Sequence, residues 1–245
     1  MKAANRRIAL ITGANKGIGF EVARQLGERG VHVLVGARDE GRGQAAVAQL
    51  TAQNILATYV PIDVTDGASI SQAAARISNE WGKLDILVNN AGVSGGDIST
   101  PPSQTSIDAV REVYETNVFG VIGVTTAMIP LLRRADEARI VNVSSSLASL
   151  TMALDPNDMF YGINSLRYQS SKAALNAVTV EFAKELEDEG IKVNAACPGF
   201  ADTDFNGHQG TKSARQAATI IVKLSTLGAD GPTASFQDEN GELPW

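Results

Sequence analysis

Hydrophobic positions along the chain alternate between short unbroken runs and longer stretches in which they return every three to four residues. The unbroken runs are Arg7 to Thr12, His32 to Ala37, Thr58 to Ile62, Ile86 to Val88, Ile140 to Val143 and Lys192 to Ala196. Runs of this length, without a polar face, predict strands covered on both sides. The periodic stretches predict helices over Gly17 to Arg29, Ala68 to Trp81, a long segment from Ile107, Tyr168 to Leu186 and Ser213 to Leu227. A short final strand is expected near Ala234 to Phe236. Strand and helix in alternation imply a doubly wound α/β architecture, a parallel sheet of about seven strands with helices on both faces. No linker divides the 245 residues, so one domain over 1–245 is expected.

The strand ends carry the chemistry. After the first strand comes Thr12-Gly13-Ala14-Asn15-Lys16-Gly17-Ile18-Gly19. Small residues there let the backbone approach a pyrophosphate, and the helix that follows offers unpaired N–H groups and a partial positive charge. The glycine spacing departs from G-x-G-x-x-G, and a plain tight turn is the competing reading. The second strand ends at Ala37-Arg38-Asp39, with no acidic residue to meet a ribose 2′-hydroxyl. Arg38 and Lys16 can instead flank a 2′-phosphate, which favours NADPH; otherwise both are solvated charges and Asp39 caps a helix. Asp63-Val64 closes the third strand, where the carboxylate either accepts from an adenine amino group or caps a turn. Asn89-Asn90-Ala91-Gly92 closes the fourth: its amides can tie neighbouring strands, and its small residues leave room for a flat ring. The loop Val93 to Gln104 is expected to be irregular and exposed.

Asn117 lies on an apolar helical stretch, as a satisfied core amide or as the holder of a water near the chemistry. Ser144-Ser145-Ser146 ends the fifth strand. Tyr168 and Lys172 are four apart, hence on one helical face. At roughly 5 Å and an effective dielectric near 20, the ammonium is expected to lower the phenol's pKa by about two units, bringing it towards a general acid or base. Leu147 to Arg167 reads as a loop. Cys197, ahead of Pro198-Gly199-Phe200, reads as a small buried residue rather than a nucleophile, and His208 as a surface histidine.

Composition narrows the setting. Net charge −6 without a basic patch argues against nucleic acid, and the hydrophobic share of 44% suits a soluble globular chain. One cysteine and two histidines exclude a multi-cysteine or histidine-rich metal site, so no metal is expected, and the lone thiol fits a reducing, cytoplasmic setting. The basic start, Met1 to Arg7, leads into a run broken at Gly13, short of a signal segment. No apolar run approaches the ~18 residues that span a membrane.

Taken in order, Thr12-Gly13-x-x-x-Gly17-x-Gly19, Asn89-Asn90-Ala91-Gly92, Asn117, the serine after strand five, Tyr168-x-x-x-Lys172 and Pro198-Gly199 resemble the short-chain dehydrogenase/reductase family over nearly the whole chain. Within it, the Lys16 turn, Ala37-Arg38-Asp39, Cys197 to Phe200 with Thr203-Asp204, and the final Trp245 resemble the NADPH-dependent carbonyl reductases. The resemblance implies a Rossmann fold and reversible reduction of a ketone or aldehyde to an alcohol. It implies that Tyr168 moves the proton on the substrate oxygen, that Lys172 lowers its pKa and binds the nicotinamide ribose, and that Asn117 supports a water. The orienting serine stands three positions before a small residue in the family, and Ala148 selects Ser145. Gly13, Asn15, Lys16, Gly17, Ile18, Gly19, Arg38, Asp63, Val64, Asn90, Ala91, Gly92, Pro198, Gly199 and Thr203, with Tyr168 and Lys172, are the implied cofactor contacts. The partner is a small-molecule carbonyl compound, with neither nucleic acid nor membrane. Dimer, tetramer and monomer all stay open. The Ser145–Tyr168 separation is longer than in minimal members and shorter than in monomeric animal carbonyl reductases, so this stretch and Phe200 to Lys212 are expected to shape the substrate pocket. Two rivals remain. An acyl-carrier-linked 3-oxoacyl reductase would need a basic mouth, for which Arg167, Lys212 and Arg215 are the candidates; a non-catalytic NADP(H) sensor would lack Tyr168 or Lys172.

Overall fold

The computed structural model describes residues 6–96, 100–158 and 160–245. Residues 97–99 of the expected Val93 to Gln104 loop, Met159 of the Leu147 to Arg167 stretch and the basic start at 1–5 lie outside them. The first half runs β1 (Ile8–Thr12), α1 (Gly17–Glu28), β2 (His32–Ala37), α2 (Glu40–Thr51), β3 (Ala57–Pro61), α3 (Gly67–Trp81) and β4 (Ile86–Asn89). The second continues with α4 (Ile107–Tyr114), α5 (Gly120–Leu132), β5 (Arg139–Val143), α6 (Leu150–Ala153), α7 (Leu166–Leu186) and β6 (Lys192–Ala196). It closes with β7 (Ala201–Asp202), β8 (Lys212–Ser213), α8 (Ala214–Ser225), β9 (Phe236–Asp238) and β10 (Gly241–Glu242).

Eight strands form the main sheet in the order β3-β2-β1-β4-β5-β6-β9-β10, all pairing parallel except β10 against β9. Period-two alternation explains why the strands read as apolar throughout. Ile11, Val33, Val88 and Val141 face α1, α2 and α8 through Val22, Leu26, Leu50 and Ile221. Leu10, Leu34, Leu87 and Ile140 face α3, α5 and α7 through Ile77, Val124, Met128 and Leu186. Burying each such side chain contributes roughly 1.5–3 kcal/mol. The strand order reverses between β1 and β4, and crevices beyond the carboxyl ends of strands at such a point hold ligands.

The elements differ from expectation in four places. The final strand begins at Phe236, because Ala234 turns through φ +53° and Ser235 is tied to Asn194, and the Asp238 carboxylate then turns the chain into the added β10. The helix from Ile107 is not uniform: Glu115–Phe119 forms a π turn between α4 and α5. Ile107–Leu132 is also long and apolar enough to cross a membrane by length and composition, although 56% of its most apolar window is buried within the protein. Lastly, Leu147 to Arg167 is not wholly loop, since it contains α6 and the first two residues of α7.

Candidate active site

The turn between β1 and α1 is shaped by contacts that exclude side chains. Gly13 and Gly17 stand at φ +65° and +58°, where glycine alone is unstrained. A Cβ on Gly19 would come 2.7 Å from the Gly13 carbonyl and collide with the Asn90 amide. That amide donates to the Thr12 carbonyl at 2.8 Å, while the Thr12 hydroxyl accepts from the Asn90 and Ala91 N–H groups at 3.0 Å each. Asn90 therefore ties β4 to β1 across the switch point. The N-cap of α1 is Lys16, whose side chain makes no capping hydrogen bond, and its first turn has no acidic residue. By contrast, Asp39, Asp66, Ser106 and Ser213 accept from the first turns of α2, α3, α4 and α8. The open N–H groups of α1, beside positive-φ glycines, fit an anionic pyrophosphate.

Four predicted residues converge beyond β4 and β5. Ser145 follows β5; its hydroxyl accepts from the Leu147 N–H at 3.3 Å and lies close enough to the Tyr168 phenol to favour the ionised form. Lys172 is buried, its ammonium 5.7 Å from the Tyr168 ring centre and donating to the Val143 carbonyl at 2.7 Å. Asn117 is fully buried in the π turn. Its amide nitrogen donates to the Val93 carbonyl and the Ser171 hydroxyl at 2.9 and 3.0 Å, and its oxygen accepts from the Val93 N–H at 2.9 Å. Ser171 sits between Tyr168 and Lys172, so Asn117 braces their helix against the strand-four loop. Gly92 completes the group: a Cβ there would lie 3.3 Å from the Asn117 oxygen and 3.7 Å from the Lys172 nitrogen.

The electrostatics of this group correct one expectation. Burial raises the pKa of Tyr168, with Ser145 partly opposing, and Lys172 is not among the groups that lower it. The reason is that Lys172 is itself desolvated: burial lowers its pKa to about 8. An ammonium still charged at neutral pH beside a protonated phenol can serve as a proton-donating pair for an oxygen that gains negative charge.

The rim is held differently. Lys16 donates from Nζ to Asp204 Oδ2 at 2.7 Å, and Arg38 is exposed at the end of β2. Asp39 caps α2, accepting from the Arg42 N–H at 2.8 Å. Asp63 caps a turn, its Oδ1 accepting from the Thr65 N–H and hydroxyl at 2.9 and 2.7 Å, and those bonds lower its pKa. The Val64 carbonyl lies against Gly120, the residue that follows the π turn, and Asn15 and Ile18 are half-buried around the glycine turn. Pro198 and Gly199 follow β6, with Gly199 at φ +76° under the Lys212 side chain, and the buried Thr203 lies against Gly17. Lys212 is paired with Glu239 at 2.7 Å. Cys197 is buried, its sulfur accepting from the Ser146 N–H at 3.2 Å, and burial raises its pKa.

Three contacts of the rim are not expected from sequence. Phe205 packs edge-on against Tyr168 with ring centres 5.7 Å apart. Asp204 engages Lys16. His208 is anchored rather than loose, bridging Asp202 and Asp204 at 2.7 and 2.8 Å. The Asp202/Asp204/His208 spacing was the available signal.

The chain is similar to known proteins along most of its length. The family model described as short chain dehydrogenase matches residues 7–214. The chain is 41% identical to the short-chain dehydrogenase anuI of Penicillium roqueforti, covering 94% of this chain and 92% of that one. The solved salutaridine reductase from Papaver somniferum superposes with TM-score 0.83 at 31% identity, covering 94% of this chain and 99% of that one. The NADPH-bound carbonyl reductase from chicken fatty liver gives 0.85 at 28%, covering 98% and 100%.

Proposed function

The chain belongs to the short-chain dehydrogenase family, and from that premise we propose that it is an NADPH-dependent carbonyl reductase, a single domain over 1–245 that reversibly converts a ketone or aldehyde to an alcohol. The open N-terminus of α1 and the turn Gly13 to Gly19 hold the pyrophosphate, Arg38 and Lys16 the 2′-phosphate, and Asn90 to Gly92, Gly199 and Thr203 the nicotinamide half. Asp63 and Val64 border the adenine. Bound there, NADPH supplies the hydride.

Tyr168 donates its phenolic proton to the substrate oxygen as the carbonyl carbon gains hydrogen, so a C–H and an O–H bond replace the C=O π bond. Ser145 donates a second hydrogen bond to that oxygen and fixes its position. Lys172 holds the nicotinamide ribose and keeps positive charge beside the phenol while its proton is away. Asn117 fixes the helix that carries both and supports the water through which the phenol regains its proton. The observation carrying the reading is the convergence of Ser145, Tyr168 and Lys172 at the strand ends, together with the uncapped N-terminus of α1 behind its glycine turn. A panel of ketones, aldehydes and quinones, followed by the absorbance of NADPH, tests it: turnover of at least one carbonyl class is expected. NADPH that binds without being consumed by any of them would overturn it.

A further inference from the structure

Lys16 stands on the glycine turn, but its ammonium already has a partner. Asp204 takes it through Oδ2 at 2.7 Å, and the other carboxylate oxygen is held by His208 Nε2 at 2.8 Å. The second ring nitrogen of His208 meets Asp202 at 2.7 Å, so the imidazole, anchored by the Asp202 carboxylate, fixes the geometry of the acid that engages Lys16. All of them lie on or beside the loop 203–211, whose ends are clamped by β7 and β8 pairing Ala201 with Lys212 and Asp202 with Ser213. The same loop carries Phe205, packed against the Tyr168 ring. One short segment thus touches a cation of the nucleotide turn and the aromatic ring of the proton donor.

A 2′-phosphate carries more charge than a carboxylate and offers three acceptor oxygens, so it can take Lys16 from Asp204. We propose that Asp204 is a specificity-determining residue acting through Lys16: it competes with the 2′-phosphate of NADPH for that ammonium, so that NADPH, and not NADH, frees loop 203–211 from the nucleotide turn. The proposal rests on the reading of Lys16 and Arg38 as the 2′-phosphate ligands. NADH brings no group to displace Asp204 and leaves the contact intact. The Lys16–Asp204 pair is more than half exposed on both sides, 55% and 56% of the side chains, so its effect is modest and sensitive to salt.

Fluorescence titration of NADPH and NADH against the wild type, Lys16→Ala, Asp204→Asn and Asp204→Glu tests this, with hydrogen exchange of 203–211 as a second readout. Asp204→Asn is expected to tighten NADPH about three- to fivefold and leave NADH unchanged, the gain shrinking in about 0.5 M salt. Asp204→Glu should behave as the wild type. In the wild type, exchange of 203–211 should quicken with NADPH but not with NADH. If Lys16→Ala erodes a real NADPH preference while Asp204→Asn does nothing, or tightens both cofactors alike, the competition is wrong and the cofactor reading survives. If Asp204→Glu matches Asp204→Asn, loop shape rather than charge is responsible and the proposal falls. A wild type that binds NADH as well as NADPH removes the cofactor reading, and this inference with it.

Discussion

The site has a buried floor and an exposed rim, and the two are held by different physics. On the floor, Asn117 and Lys172 are buried and their polar atoms are committed to backbone and hydroxyl partners at 2.7 to 3.0 Å. On the rim, Lys16, Arg38, Asp204 and His208 are exposed, and the contacts of Lys16, Asp204 and His208 are ion pairs at the surface. Buried groups feel a low dielectric and little screening, so the floor should be indifferent to salt and sensitive to any lost partner. Exposed pairs are weakened within a Debye length of about 8 Å at physiological salt, so the rim should be adjustable. Chemistry is assigned to the first region and cofactor choice to the second.

The sharpest break would come at the floor. Tyr168→Phe keeps the ring against Phe205 but removes the proton, and turnover should fall by roughly 10²–10⁴ while NADPH still binds; near-normal turnover would end the assignment. Next is Lys172, whose pKa lies below the ordinary lysine value, at about 8. The unfolded chain binds this proton more tightly, so between about pH 8 and the ordinary value the group's contribution to stability rises with pH. That contribution is about 3 kcal/mol. Reduction rate should decline over the lower end of the same window as the charge is lost. Lys172→Met should flatten both trends, measured by urea midpoints and by pH–rate profiles. Removing the bracing amide in Asn117→Ala should cost roughly 1–3 kcal/mol by urea unfolding, independent of salt. On the rim, Arg38→Gln should weaken NADPH by about tenfold with little effect on NADH, and the difference should fade as salt rises. A salt-insensitive rim, or a salt-sensitive floor, would erase the distinction.

Parts of both regions are legible in the sequence for a physical reason. A backbone that must turn through positive φ reads as Gly13 and Gly17, a crowded helix–strand contact as Gly19, and a shared helical face as Tyr168 and Lys172. The uncapped start of α1 can be expected, because Lys16 is not a capping residue. Other features leave no comparable trace. The π turn shifts the helical period by one residue within an apolar stretch, which periodicity does not resolve. The Lys16–Asp204 pair joins positions 188 apart, and no local pattern encodes such a meeting. The phenol's pKa was misjudged because distance along a helix can be read from sequence whereas desolvation cannot; spacing supplied the Coulomb attraction and omitted the larger opposing cost.

The wider turn at Glu115–Phe119 makes the gene unusually fragile at one spot. Losing a single codon there would let α4 and α5 merge into one regular helix, with conventional hydrogen bonding restored. The flanking helices would keep their faces, because the wide turn absorbs the one extra residue, but the side chains within it would change direction and the amide of position 117 would leave Val93 and Ser171. Deletion scanning through this segment should therefore recover chains with intact helical circular dichroism and no turnover, a case in which tidier secondary structure and lost catalysis share one cause.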